Sequence, residues 1–164
     1  HASLAPSEMC IRDSAIANHS LSHNFNLLYP GRVPNQSQIV SEVNQTNANF
    51  QAILGKDFKT RIFRYPGGHM SWQGLESTDH ALAKEDIQWI DWNMLCGDAE
   101  PLSVRPTTSE SMMAYMDGSQ KYFPETTVKV VLMHDTAGKE LTVQTLPQII
   151  EYFKNQGYTF GVLE

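Results

Sequence analysis

Along this chain, short runs rich in β-branched and aromatic residues alternate with longer stretches in which apolar positions recur every three or four residues. That is the pattern of strands alternating with helices, and it predicts an α/β chain with a mainly parallel sheet. Strands are expected at Ala15–Ala17, Thr60–Arg64, Gln88–Asn93, Thr127–His134 and Tyr158–Leu163, the β-branched run Val128–Met133 being the clearest. Helices are expected at Ser37–Leu54, Asp79–Glu85, Thr108–Tyr122 and Val143–Gln156. In the first, Ile39, Val40, Val43, Thr46 and Phe50 recur at near-helical spacing and Gly55 is placed to stop it. In the last, Leu146, Ile149, Ile150 and Phe153 share a face, and Pro147 is expected in the first turn, where its missing N–H costs little.

Composition narrows the partners. The 164 residues suit one domain, and 41% hydrophobic with 10% aromatic content is enough for a sizeable core. Twelve basic against eighteen acidic residues give a net charge of −6 with no basic cluster, the opposite of what a phosphate-backbone binder needs, so nucleic acid is excluded as the expected partner. No run approaches the ~18 apolar residues of a membrane span, and no signal or anchor is read in this chain. Cys10 and Cys96 are compatible with one bridge or with none.

Four groups could carry chemistry. His19-Ser20-Leu21-Ser22-His23 follows the first expected strand, and imidazoles four residues apart on a helical turn can share one metal ion, although two solvated loop histidines would show the same spacing. Arg64-Tyr65-Pro66-Gly67-Gly68 ends a strand, with glycines that let backbone N–H groups approach a ligand or form a plain turn. Asp91-Trp92-Asn93 leads to Gly97-Asp98, and Trp92 suits a core as well as a groove. Leu132-Met133-His134-Asp135 closes the most apolar strand, where a His serves as a site residue or a satisfied buried group. All four lie at carboxyl ends of expected strands, which a parallel sheet or barrel gathers on one face.

In order and identity these motifs resemble the polysaccharide deacetylases of the NodB-homology type, carbohydrate esterase family 4, and within them the peptidoglycan N-acetylglucosamine deacetylases. His19 through His23 is similar to the family's H-[ST]-x-x-H motif, Arg64-Tyr65-Pro66-Gly67 to its R-x-P motif, Asp91 through Glu100 to its fourth motif, and Leu132-Met133-His134 to its final L-x-H. The tail from Leu146 to Phe160 also looks like the family's C-terminal helix and strand. The resemblance implies a distorted (β/α) barrel and metal-dependent hydrolysis of the N-acetyl group of N-acetylglucosamine in peptidoglycan or a chitin-like glycan. It makes His19 and His23 ligands of a divalent metal, most often Zn2+, which activates water and the acetyl carbonyl. It makes His134 the general acid, Asp98 the residue that orients it, and Arg64 the partner of a catalytic aspartate. Tyr65 and Gly67 fall on its substrate-binding loop, with the Gly67 N–H facing the oxyanion, while Trp92 and Leu132 line its groove and acetyl pocket.

The family's first motif, T-F-D-D-G, supplies the general base and the third metal ligand, and no Asp-Asp pair occurs in this sequence. The expectation is therefore a domain incomplete at its N-terminus, with residues 15–164 belonging to the family, residues 1–14 outside its pattern, and impaired activity in this chain. Asp13 is not expected to substitute, because it stands at the wrong end of the first strand. The full-length protein is expected in the cell envelope or outside the cell, as a monomer acting on a polysaccharide. The competing expectation is a carbohydrate-binding relative without catalysis.

Overall fold

The computed structural model describes residues 14–163, so Cys10, Asp13 and nearly all of the segment 1–14 lie outside the described residues. The described residues form two compact units, one of residues 14–91 with 162–163 and the other of Trp92–Gly161.

In the first unit the order is α1 (Phe25–Leu28), a 3₁₀ turn at Pro30–Arg32, α2 (Gln36–Leu54), β1 (Ile62–Phe63), a 3₁₀ turn at His69–Ser71, α3 (Glu76–Lys84) and β2 (Gln88–Trp89). β1 and β2 pair in parallel, Ile62 with Gln88 and Phe63 with Trp89. Asn18 adds a parallel bridge to Phe63, its N–H donating to the Ile62 carbonyl and its carbonyl accepting from the Arg64 N–H, both at 2.9 Å. The expected strand at Ala15–Ala17 is thus reduced to that single bridge one residue later. α2 is capped by the Asn35 side chain, which accepts from the Gln38 N–H, and it ends at Gly55. Its buried positions are Ile39, Glu42, Val43 and Thr46, an i, i+3, i+4, i+7 stripe that contains a carboxylate. The core of this unit is Leu28, Tyr29, Ile39, Val43, Phe63, Tyr65, Leu75, Leu82 and Ile87.

The second unit runs β3 (Met94–Leu95), α4 (Ser109–Ser119), a 3₁₀ turn at Gln120–Tyr122, β4 (Val131–Leu132) and α5 (Glu140–Asn155). β3 and β4 pair in parallel, Met94 with Val131 and Leu95 with Leu132. α4 opens on a capping box in which the Thr108 side chain takes the Ser111 N–H and Ser111 returns a bond to the Thr108 N–H. Met94, Cys96, Met112, Met116, Ile149 and Phe153 form this unit's core.

Several expected elements differ for identifiable reasons. Gln88–Asn93 is cut to Gln88–Trp89, beyond which the Ile90 N–H still donates to the Phe63 carbonyl and the Asp91 carboxylate accepts from the His69 and Met70 amides. Thr127–His134 shrinks to Val131–Leu132 because the Asn93 side chain takes over, donating to the Val128 carbonyl and accepting from the Val130 N–H. Tyr158–Leu163 finds no ladder partner among the described residues and forms no strand. α5 starts at Glu140, which puts Pro147 inside the helix instead of in its first turn. The carbonyl that Pro147 leaves without an N–H belongs to Val143, on the exposed side, where water can satisfy it. The buried face of α5 is Thr142, Thr145, Ile149 and Phe153, with Leu146 exposed. Among the described residues the strands form two two-stranded ribbons and no closed barrel.

Candidate active site

In the first unit, the parallel ribbon delivers His19, Arg64 and Asp91 just beyond Asn18, β1 and β2, as expected for groups at strand carboxyl ends. The His19 and His23 rings meet edge to face with centroids 5.0 Å apart. His19 Nδ1 lies 2.7 Å from the Arg64 carbonyl. A carbonyl only accepts, so Nδ1 carries a proton, and in the neutral ring the lone pair belongs to Nε2. The ring is thereby held by the chain segment that carries the next motif.

Arg64 is half-buried. Burial holds its guanidinium below the ordinary value, against the opposing pull of the Asp91 charge. Asp91, for which the sequence suggested no role, accepts from the His69 N–H through Oδ1 and from the Met70 N–H through Oδ2, each at 2.9 Å. It ties the loop after Pro66 to the end of β2. Within that loop Gly67 has φ +81°, and a Cβ there would lie 3.3 Å from Trp72. Tyr65 is fully buried, its hydroxyl donating to Asp79 at 2.8 Å, so only its backbone can face a substrate. His69 also reaches Asp79, at 2.8 Å, and stacks on Trp89 with centroids 3.8 Å apart.

In the second unit, Asp98 follows β3 and His134 follows β4. Asp98 is 4% exposed. Its Oδ1 lies 2.8 Å from His134 Nδ1, and its Oδ2 accepts from the His134 N–H at 2.7 Å and the Thr142 hydroxyl at 3.1 Å. The Lys139 ammonium donates to the Asp98 carbonyl. Burial by itself would raise the Asp98 carboxyl; the bonds from the His134 ring and amide, the His134 charge and the Thr142 hydroxyl outweigh it and hold the group below the ordinary aspartate value. The His134 side chain remains 38% exposed, so the ring is anchored at Nδ1 and open at Nε2. Gly97, at φ +83°, sits so close to Tyr115 and Pro106 that a Cβ would meet them at 2.8 and 2.9 Å. Leu132 and Trp92 are half-buried. Cys96 is fully buried and free, and burial pushes its thiol up to about 11.

Among the described residues, no three His, Cys, Asp or Glu side chains stand close enough to hold a metal ion. Imidazole nitrogen is a common donor to divalent ions, and His19, with Nδ1 held by the Arg64 carbonyl, and His23 are the side chains here of a type that could hold one.

The family model of polysaccharide deacetylases matches residues 7–90. The chain belongs to the polysaccharide deacetylase family. The chain has the fold of a CE4 esterase from Streptococcus mutans, with a TM-score of 0.90 and 55% identity over 92% of this chain and 63% of that one. It is similar to the catalytic domain of a peptidoglycan N-acetylglucosamine deacetylase from Eubacterium rectale, with a TM-score of 0.74 and 27% identity, covering 96% of this chain and 69% of that one. Among curated proteins it is 61% identical over 127 residues to a bifunctional xylanase/deacetylase of Pseudobutyrivibrio xylanivorans, and 28% identical over 151 residues to YheN of Bacillus subtilis (strain 168). Those matches cover 77% and 92% of this chain, which spans 18% and 49% of the two relatives. No helix among the described residues is long and apolar enough to cross a membrane.

Glu42 is the residue that motif reading missed, while Asp91, inside a quoted motif, was given no individual role. Glu42 had a signal, being a carboxylate inside the apolar stripe of α2.

Proposed function

We propose that this chain carries the metal-binding and proton-handling parts of an enzyme that hydrolyses the N-acetyl group of N-acetylglucosamine in peptidoglycan or a related polysaccharide. The observation that carries the reading is the pinned His19 imidazole, whose Nδ1–H is committed to the Arg64 carbonyl while its ring meets that of His23 with centroids 5.0 Å apart. Family membership and the likeness to the Eubacterium rectale peptidoglycan N-acetylglucosamine deacetylase support the substrate class. The parallel ribbons are read as strands of the distorted (β/α) barrel that the motifs imply. The whole protein is read as a monomer of the cell envelope or the extracellular space.

A divalent ion, Zn2+ foremost, supplies Lewis-acid polarisation of the acetyl carbonyl and of the attacking water when bound. His134 holds a proton at Nε2 for the amine that leaves as the C–N bond breaks, while Asp98 fixes the ring through Nδ1 and faces its positive charge. The Gly67 amide, on a backbone that only glycine adopts easily, faces the oxyanion. Leu132 lines the pocket for the acetyl methyl, and Trp92 forms part of the groove wall. Arg64, beside Asp91, is placed to pair with the aspartate that serves as base and third ligand, which we assign to sequence beyond this chain.

The test compares this chain with the protein expressed together with its upstream coding region. Zinc binding is measured by calorimetry, and acetate release from an N-acetylglucosamine oligomer is followed in both, with His19→Ala in each. The expected result is weak zinc binding through His19 here and tight binding with acetate release in the longer protein. Tight binding that His19→Ala leaves unchanged would refute the assignment.

A second reading, a carbohydrate-binding relative without catalysis, is favoured by the lack of a three-ligand cluster among the described residues. It predicts that the longer protein binds the oligomer and releases no acetate.

A further inference from the structure

The backbone between the two ligand histidines has an unusual shape. Ser20 and His23 both have positive φ, +67° and +51°, a region that residues with a Cβ seldom occupy. Such a shape persists only where the surroundings hold it. Two side chains do so, and both are anchored on α2.

The first is Glu42, 2% exposed in the middle of the buried stripe. Its Oε2 accepts from the Leu21 N–H at 3.1 Å and the Ser22 N–H at 2.9 Å; its Oε1 accepts from the Ser22 hydroxyl at 2.7 Å and the Gln38 side-chain amide at 3.0 Å. The second is Asn18, whose Oδ1 accepts from the Ser20 N–H at 3.0 Å while its Nδ2 donates to the Val43 carbonyl at 2.9 Å and to Asn47 Oδ1 at 2.7 Å. A buried carboxylate is costly unless its oxygens are bonded, and here four donors serve them. Burial would raise the group; the Ser22 amide, Gln38, the Ser22 hydroxyl and the Leu21 amide reverse that and keep it below the usual carboxylate range. None of the motifs includes Glu42, and it touches neither histidine ring in any bond described above. Its bonds go to the residues between them.

We propose that Glu42 is a positioning residue: its buried carboxylate clamps Leu21 and Ser22 so that His19 and His23 are presented together to one divalent cation. The proposal rests on the reading of these histidines as ligands. An alanine at 42 removes the clamp and leaves a void in the core. Glu42→Gln is more informative, because it keeps the volume and removes the charge: the amide oxygen still accepts from the Leu21 and Ser22 N–H groups, but as neutral bonds in place of charge-assisted ones, and its NH2 has to be met by the Ser22 hydroxyl oxygen and a turned Gln38 amide.

The experiment uses the 164-residue chain, with amide exchange of Leu21 and Ser22 measured by NMR without metal and Zn2+ alone titrated by calorimetry. Glu42→Gln is expected to speed exchange at those two amides about 10-fold or more, with exchange in the second unit unchanged. The zinc dissociation constant is expected to rise roughly 10–100-fold, the usual effect of losing a residue that orients metal ligands. Unchanged exchange at Leu21 and Ser22, or faster exchange along all of α2 with an unchanged zinc constant, overturns the proposal. Should Glu42→Gln fail to fold, Ser22→Ala removes one bond of the clamp and is expected to speed exchange by roughly 2–10-fold; no change there overturns it equally. Zinc binding insensitive to His19→Ala in the parent would instead sink the ligand assignment, and the exchange rates still decide whether Glu42 clamps the loop.

Discussion

Replacing Asp98 by asparagine is expected to change the His134 tautomer more than the stability of the fold. The carboxylate accepts three bonds, from the His134 ring at Oδ1 and from the His134 N–H and Thr142 hydroxyl at Oδ2. An amide has one oxygen to offer. The His134 backbone N–H cannot reverse its role, so the amide oxygen takes the Oδ2 place and the NH2 group faces Nδ1. The ring answers by accepting at Nδ1 and carrying its proton on Nε2. Each bond survives, but as a neutral pair: the difference between charge-assisted and neutral bonds, up to about 1 kcal/mol apiece, predicts a loss of roughly 1–3 kcal/mol. Removing the acceptor altogether with Asp98→Ala strands buried donors and is expected to cost about 3–5 kcal/mol. Nitrogen chemical shifts of the His134 ring report the tautomer, and urea unfolding reports the stability. In the longer protein, acetate release should fall by ~10²–10⁴-fold, the usual contribution of a positioned acid. An Asp98→Asn variant that keeps its proton on Nδ1, or one as unstable as Asp98→Ala, would refute the reasoning.

The same carboxylate sets an acid limit. Its folded value lies below the ordinary 3.8, so the stability it contributes is complete above that pH and is lost as pH falls toward the folded value. Urea midpoints followed from pH 6 to pH 2.5 should drop less steeply below pH 4 in Asp98→Asn than in the parent. Gly97→Ala places a Cβ 2.8 Å from Tyr115 on a left-handed backbone, which together should cost about 2–5 kcal/mol in chemical denaturation. A loss under ~1 kcal/mol would show that the turn before Asp98 is more compliant than its packing indicates. Cys96, fully buried with its thiol pushed up to about 11, should resist iodoacetamide at pH 7.5 in the folded protein and react on unfolding, as peptide mapping will show.

Much of the architecture was legible along the chain. α2 and α4 lie close to their expected ranges because caps and apolar spacing are local properties, written within one or two turns. The parallel sense of the strand pairs followed from strands alternating with helices, which leaves no room for hairpins. Strand lengths did not follow, because a ladder ends where a side chain takes its backbone groups, as Asn93 does at Val128 and Val130 across more than thirty residues. Pro147 was misplaced for a related reason, since α5 gains an extra turn when Thr142 packs and bonds against Asp98.

For the site, the sequence alone determined the chemical types: the paired imidazoles, the Arg-Tyr-Pro-Gly turn, a histidine at position 134 and the family they resemble. Residue type and spacing are enough for that, because they limit which chemistry is available. Only the tertiary structure decided how those groups are held. The Arg64 carbonyl sets the His19 tautomer across forty-five residues, Asp98 reaches His134 across thirty-six, and Glu42 grips the histidine loop from the buried side of α2 across twenty. Hydrogen bonds of that span exist only once the core has closed around them, and nothing in local spacing encodes their geometry.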